Sequence, residues 1–228
     1  MGGIRMAASI TIDTTGVSIS GSTWSTGNYE KITIGDKTLK ELGAADSTTD
    51  TITVPGYGSF KLTDSEGSVT FTAAAGMPAG AYIFTPIATE SGETGLSYPA
   101  LQACITIADL SAMTGAFTLA DLGTNQKNTT LTKLITGSGT DIVMGSRYTA
   151  LKQISTGAGD DAVLAKAAAD LKVNTGDGSD TLVLNGAAAL SSAIVLGSGD
   201  DTIDVTGASS ATVYGGAGAD VFVAGNES

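Results

Sequence analysis

One six-residue loop returns five times in the second half of the chain: TGSGTD at 136–141, TGAGDD at 156–161, TGDGSD at 175–180, LGSGDD at 196–201 and GGAGAD at 215–220. Each copy holds glycine at its second and fourth positions and aspartate at its sixth. The aspartates, Asp141, Asp161, Asp180, Asp201 and Asp220, follow one another at intervals of 20, 19, 21 and 19 residues. A loop that returns at near-constant spacing restricts the chain to a stacked repeat. Such a stack lines up its carboxylates at one corner, and a column of like charges needs a neutralising cation.

The residues flanking the loops alternate as strands do. Two positions after each aspartate stand Val143, Val163, Leu182, Ile203 and Phe222, and four positions after it Gly145, Ala165, Leu184, Val205 and Ala224. Three residues ahead of each loop's first glycine at position two stand Leu134, Ile154, Val173, Ile194 and Val213. Period-two alternation turns these ladders inward. One coil therefore reads as loop, short strand, second turn and return strand.

The loop chemistry selects the cation. Glycine at alternate positions allows backbone angles closed to other residues, so that carbonyl oxygens can converge. Calcium takes six to eight oxygen ligands from carboxylates and carbonyls. The loops offer oxygen alone. The chain has no histidine and one cysteine, Cys104, which disfavours zinc, copper and iron–sulfur chemistry. A single Gly/Asp loop reads as an ordinary turn; five in one register do not, because turn chemistry alone imposes no register. The candidate metal-holding positions are Gly137, Gly139 and Asp141; Gly157, Gly159 and Asp161; Gly176, Gly178 and Asp180; Gly197, Gly199 and Asp201; and Gly216, Gly218 and Asp220. Asp160 and Asp200, at the fifth position of their loops, join the set, and Asp177 either adds a ligand or faces solvent.

In these loops the sequence resembles the calcium-binding repeats of the RTX (repeats-in-toxin) family, whose nonapeptide is G-G-x-G-x-D-x-U-x with U a large apolar residue. GGAGADVFV at 215–223 matches at every position; the other copies carry Thr136, Thr156, Thr175 or Leu196 in place of the first glycine. The resemblance covers about residues 132–225 and implies a parallel β-roll. The intervening turns, GSRYTA, AKAAAD, NGAAALS and TGASSA, contain no G-x-G-x-D. The resemblance therefore implies calcium along one edge only, about four ions between five loops stacked about 4.8 Å apart. It also implies a bacterial protein exported by a one-step, type I-like secretion system to the cell surface or beyond.

Residues 7–130 lack the loops but read as β, with alternating segments at 8–20, 29–35, 49–55, 58–64, 67–73 and 79–88 split by Gly, Ser, Thr, Asn and Asp clusters. KTLKELGA (37–44) reads as a helical turn or two. The fold class is all-β: an antiparallel β-sandwich-like domain at 1–100, lead-in or capping coils at 101–131, and a parallel calcium-binding β-roll or solenoid at 132–228.

The 23 acidic against 11 basic residues give a net charge of −12. With no Lys/Arg cluster, nucleic acid is excluded as a partner, and no stretch is long and apolar enough to span a bilayer. MGGIRMAASI lacks the apolar core of a secretory signal. Without histidine no Ser-His-Asp or Cys-His site can form, so the chain is expected to be no enzyme. Outward positions after the aspartates include Ile142, Met144, Leu164, Val183, Val221 and Val223; this face either packs on the N-terminal part or meets another subunit. The function expected is a non-enzymatic extracellular structural protein, a self-assembling homo-oligomer or polymer of a surface layer, filament or matrix. The alternative is a calcium-dependent adhesin or glycan-binding module using Trp24, Tyr29, Tyr57, Phe60 and Tyr82.

Overall fold

The alternating segments become strands, and nearly everything else is turn. The computed structural model describes residues 8–12, 19–20, 23–64, 67–84, 88–89 and 104–225. From residue 133 onward, five coils each give one strand to each of two sheets. The strands before the loops are Lys133–Ile135, Gln153–Ser155, Lys172–Asp177, Ile194–Ser198 and Val213–Ala217; those after them are Ile142–Met144, Ala162–Lys166, Thr181–Asn185, Thr202–Asp204 and Val221–Val223. Successive strands of each set pair in parallel. The register joins like with like: Val143 lies opposite Val163, Val163 opposite Leu182, and Leu182 opposite Ile203. A slip of one residue would turn every such side chain out to water, which is why the apolar pattern fixes the register. These four, with Leu134, Ile154, Val173 and Ile194, are at most 2% exposed. Phe222 occupies the same inward column yet is 52% exposed, with no further coil beyond it among the described residues.

The parallel stack reaches further back than the loops. Cys104–Asp109 and Phe117–Leu119 form a coil ahead of the first loop, and Ser68–Ala73 and Gly80–Phe84 form another. Gly58–Leu62 and Thr51–Val54 extend one sheet in antiparallel fashion; on the other, Ala8–Ile12 adds parallel to Gly80–Phe84, and Ile32–Ile34 and Lys37–Thr38 follow it antiparallel. Both kinds of strand share one apolar core. A boundary at residues 100 and 101 lies outside the described residues, as do most of 13–22 and 85–103. The segment at 37–44 is no helix; Gly35–Asp36 turns it back as a short strand, followed by tight turns.

Large rings fill this early part of the core. Phe60 and Phe71 lie 4.9 Å apart, Phe71 and Phe84 6.4 Å, and Tyr82 stacks on Phe117 at 5.9 Å. Between Phe117 and Phe222 the apolar inward strand positions are aliphatic, and Tyr148 adds one buried ring in a turn. The N-terminal end of the stack is sealed: Trp24 is 1% exposed and donates its ring N–H to the Phe60 carbonyl at 3.1 Å, and Leu39 is fully buried. Several backbone groups of its edge strands are bonded too. The Thr38 N–H donates to Glu41 Oε2 (2.8 Å), the Thr38 carbonyl accepts from the Leu42 N–H (3.1 Å), and the Thr51 carbonyl accepts from Ser47 Oγ (2.9 Å).

On the edge of the roll opposite the loops, buried Asn128 joins neighbouring coils. Its Nδ2 donates to the Phe84 carbonyl (3.0 Å), its Oδ1 accepts from the Thr130 and Leu131 N–H groups (2.9 Å each), and its own N–H reaches the Arg147 carbonyl (2.9 Å). Asn128→Ala removes the side-chain partners of three backbone groups, those of Phe84 and Leu131 buried, and is expected to cost about 2–3 kcal/mol in denaturant unfolding. A loss below about 0.5 kcal/mol would mean that water replaces the amide.

Candidate metal centre

Each loop ends where its aspartate starts an inward-facing strand position, and stacking turns five aspartates into one column. The column is a hydrogen-bonded ladder. Asp161 Oδ1 accepts from the Asp141 N–H (2.7 Å), Asp180 Oδ1 from the Asp161 N–H (2.8 Å), Asp201 Oδ1 from the Asp180 N–H (2.8 Å) and Asp220 Oδ1 from the Asp201 N–H (3.2 Å). The Phe117 N–H closes the first rung on Asp141 Oδ1 at 2.7 Å. The second oxygens are different. Oδ2 of Asp141, Asp161, Asp180 and Asp201 is buried without any hydrogen-bond partner, and these four residues are at most 2% exposed. An ionised oxygen in that position is costly and requires either a proton or a cation. Carboxylates one coil apart, roughly 4.8 Å, repel by about 3 kcal/mol per pair at an effective dielectric of about 20.

A second ladder lies beside the first. Thr136 Oγ1 donates to the Thr156 carbonyl (2.8 Å), Thr156 Oγ1 to the Thr175 carbonyl (2.9 Å) and Thr175 Oγ1 to the Leu196 carbonyl (2.9 Å). These threonines are at most 1% exposed. Each hydroxyl bonds the next coil, and each also lies against the aspartate of its own loop, where Thr136, Thr156 and Thr175 draw the Asp141, Asp161 and Asp180 carboxyls down against the lift of burial. The sequence signal was present: threonine stands in these loops where the nonapeptide pattern has its first glycine.

The loop glycines permit close stacking. Gly176 has φ +102°, and a Cβ there would lie 1.8 Å from the Gly157 carbonyl oxygen. Gly137 lacks a positive φ, yet a Cβ on it would lie 1.9 Å from the Met113 carbonyl oxygen. Loop carbonyls bond along the stack: Gly137 O accepts from the Ala158 N–H (3.1 Å), Gly157 O from the Asp177 N–H (2.9 Å) and Ser198 O from the Gly178 N–H (2.7 Å). Carbonyl oxygens carry a second lone pair, so this pairing leaves each with further acceptor capacity.

The fifth-position aspartates part company with their neighbours. Asp160 Oδ1 accepts from the Ser179 N–H and Asp200 Oδ1 from the Ala219 N–H, both at 2.8 Å on the exposed side of the loops. Asp177, also exposed, accepts from Ser198 Oγ at 2.7 Å. Asp220 is half-buried. Among the described residues no three acidic, histidine or cysteine side chains gather at one point; the acidic groups form a column.

Burial lifts the column's titration. Desolvation raises Asp141, Asp180 and Asp201 above the ordinary carboxylate value and raises Asp161 to about 6, against the pull of the hydrogen bonds each accepts. Comparison with protein-family models, curated proteins and solved structures finds no match for this chain.

Asp161 titrates at about 6 in the fold, well above an ordinary carboxylate, so the folded state holds the proton more tightly. Its charge costs the metal-free protein stability above pH 6, and that cost fades as pH falls through this range. Metal-free Asp161→Asn, a neutral isostere, is expected to melt roughly 5 °C above the parent at neutral pH, with the gap closing toward pH 4. A variant that melts lower at every pH would show that the carboxylate is stabilising even when charged. For Gly176→Ala, the overlap and the backbone angle together predict a loss of about 2–4 kcal/mol in chemical unfolding; an unchanged midpoint would refute the close-stacking role.

Proposed function

We propose that this chain is a non-enzymatic, calcium-stabilised structural protein that works outside the cell and assembles with copies of itself. The observation that carries the calcium reading is the column of four buried aspartate oxygens without partners. At neutral pH these oxygens need positive charge, and no lysine or arginine among the described residues bonds to them; the Lys152–Asp170 pair lies at the exposed surface. The donors in and around the column are all oxygens, which suits a hard cation. Asp141, Asp161, Asp180, Asp201 and Asp220 would hold calcium together with the loop carbonyls. Bound calcium supplies the charge that lets the ladder stay ionised and folded. The remaining work belongs to the chain: the loops bring the carboxylates to one column, the threonines fix the coil spacing, and the apolar ladders exclude water.

The resemblance to RTX repeats supports the same reading and favours calcium-rich surroundings outside the cell, reached by a type I-like route. The absence of histidine removes the commonest general base. No helix among the described residues is long and apolar enough to cross a membrane. Self-assembly draws on the outer face after the loops, where Ile142, Val221 and Val223 are exposed and the described N-terminal strands extend the sheets instead of lying over that face. The adhesin reading is weaker, since Trp24, Phe60 and Tyr82 of the aromatic set are buried in the core.

Circular dichroism and light scattering during a calcium titration, reversed by chelator, test the proposal. The β-signal and the particle mass are expected to rise together. In Asp180→Ala the apparent calcium affinity is expected to fall at least about tenfold, because the central aspartate touches the rungs on both sides. A β-signal and melt indifferent to calcium would identify the loops as plain turns.

A further inference from the structure

Position one of each loop faces inward, and there the copies differ. It is Thr136, Thr156 and Thr175 in the first three, Leu196 in the fourth and Gly215 in the fifth. Its side chain adjoins the second carboxyl oxygen of the same loop. At Gly215, where that space holds no side chain, a Cβ would lie 2.0 Å from Asp220 Oδ2. In the first three loops the threonine hydroxyl stands there, against the Asp141, Asp161 and Asp180 carboxyls. In the fourth, fully buried Leu196 brings no polar side-chain atom to Asp201.

Each of these hydroxyls faces two demands. It has one proton and two lone pairs, and the proton goes to the carbonyl of the next coil at 2.8 or 2.9 Å. The same proton cannot also serve the carboxylate, whose Oδ2 is buried without a partner. A cation at the carboxylate removes the conflict: the proton stays on the carbonyl, and a hydroxyl lone pair joins the oxygen donors that calcium takes. Leucine and glycine offer no such lone pair. The rung between their two loops is also the longest, 3.2 Å from the Asp201 N–H to Asp220 Oδ1 against 2.7 or 2.8 Å elsewhere.

We propose that position one grades the column: the Thr136, Thr156 and Thr175 hydroxyls complete three strong calcium sites, and the step between Asp201 and Asp220, flanked by Leu196 and Gly215, is a weak fourth. This grading rests on the calcium reading above and assigns the threonines as its positioning residues. Donor number and rigidity set calcium affinity, so a rung that lacks the hydroxyl and is longer holds the ion less tightly. The last coil is then secured only at calcium levels that already fill the other three steps.

Calorimetric titration of calcium into the chelator-stripped 228-residue chain, with melts in chelator and in calcium, tests the grading. Two classes of site are expected, three ions held at least about tenfold more tightly than a fourth. Thr156→Val, which lacks the hydroxyl, is expected to weaken the strong class at least about tenfold, and Thr156→Ser to restore it. Leu196→Thr is expected to move the fourth ion into the strong class. Four equal sites in the parent, or a fourth site that stays weak in Leu196→Thr, would overturn the proposal. So would a Thr156→Val chain with unchanged calcium affinities that melts lower by the same amount in calcium and in chelator, since the threonine would then only tie coils together. A parent chain that takes up no calcium at all defeats the metal reading itself, and the grading with it.

Discussion

A carboxylate taken out of water must keep a partner for each oxygen or give up its charge, and this protein stacks four in that position. One oxygen of each is satisfied by the amide of the preceding coil. The other is held in the interior with nothing to accept from. That half-satisfied state links fold to chemistry. The same bond that sets the coil spacing also aligns the carboxylates, so the roll cannot form without concentrating negative charge along its own axis. Neutral pH and folding are in conflict unless something positive enters the column.

The close backbone approach follows from the same geometry. Loops that carry aspartates into one line must stack with no side chain between them, and glycine alone fits beneath the neighbouring carbonyls. Threonine, small and with a single proton to give, ties one loop to the next without opening the stack. Where leucine replaces it at position 196, the hydroxyl ladder ends. The core changes character along the same axis, from rings at its sealed end to aliphatic ladders beneath the loops.

Much of this was readable in advance from the chain. The inward ladders at Val143, Val163, Leu182 and Ile203 follow from period-two alternation, and the parallel roll follows from the loop spacing. The continuation of the two sheets into the N-terminal half was not legible, because strands such as Ser68–Ala73 and Cys104–Asp109 pair without any shared loop motif or constant interval. Nor could sequence separate Asp160 from Asp161. Adjacent identical residues look alike until the strand sends one inward to the ladder and the other out to cap a neighbouring amide. Asn128 carried no periodic signal either; its role is set by which carbonyls and amides the turns leave unpaired.

The ladder also has a direction. Every carboxylate reaches back to the amide of the coil before it, so each coil offers the next an amide to grasp and can be completed only from one side. A structure built on that rule grows as a chain of equivalent additions upon a sealed base. Its length is a count of repeats that duplication or deletion of a single coil could alter without disturbing the chemistry of any other.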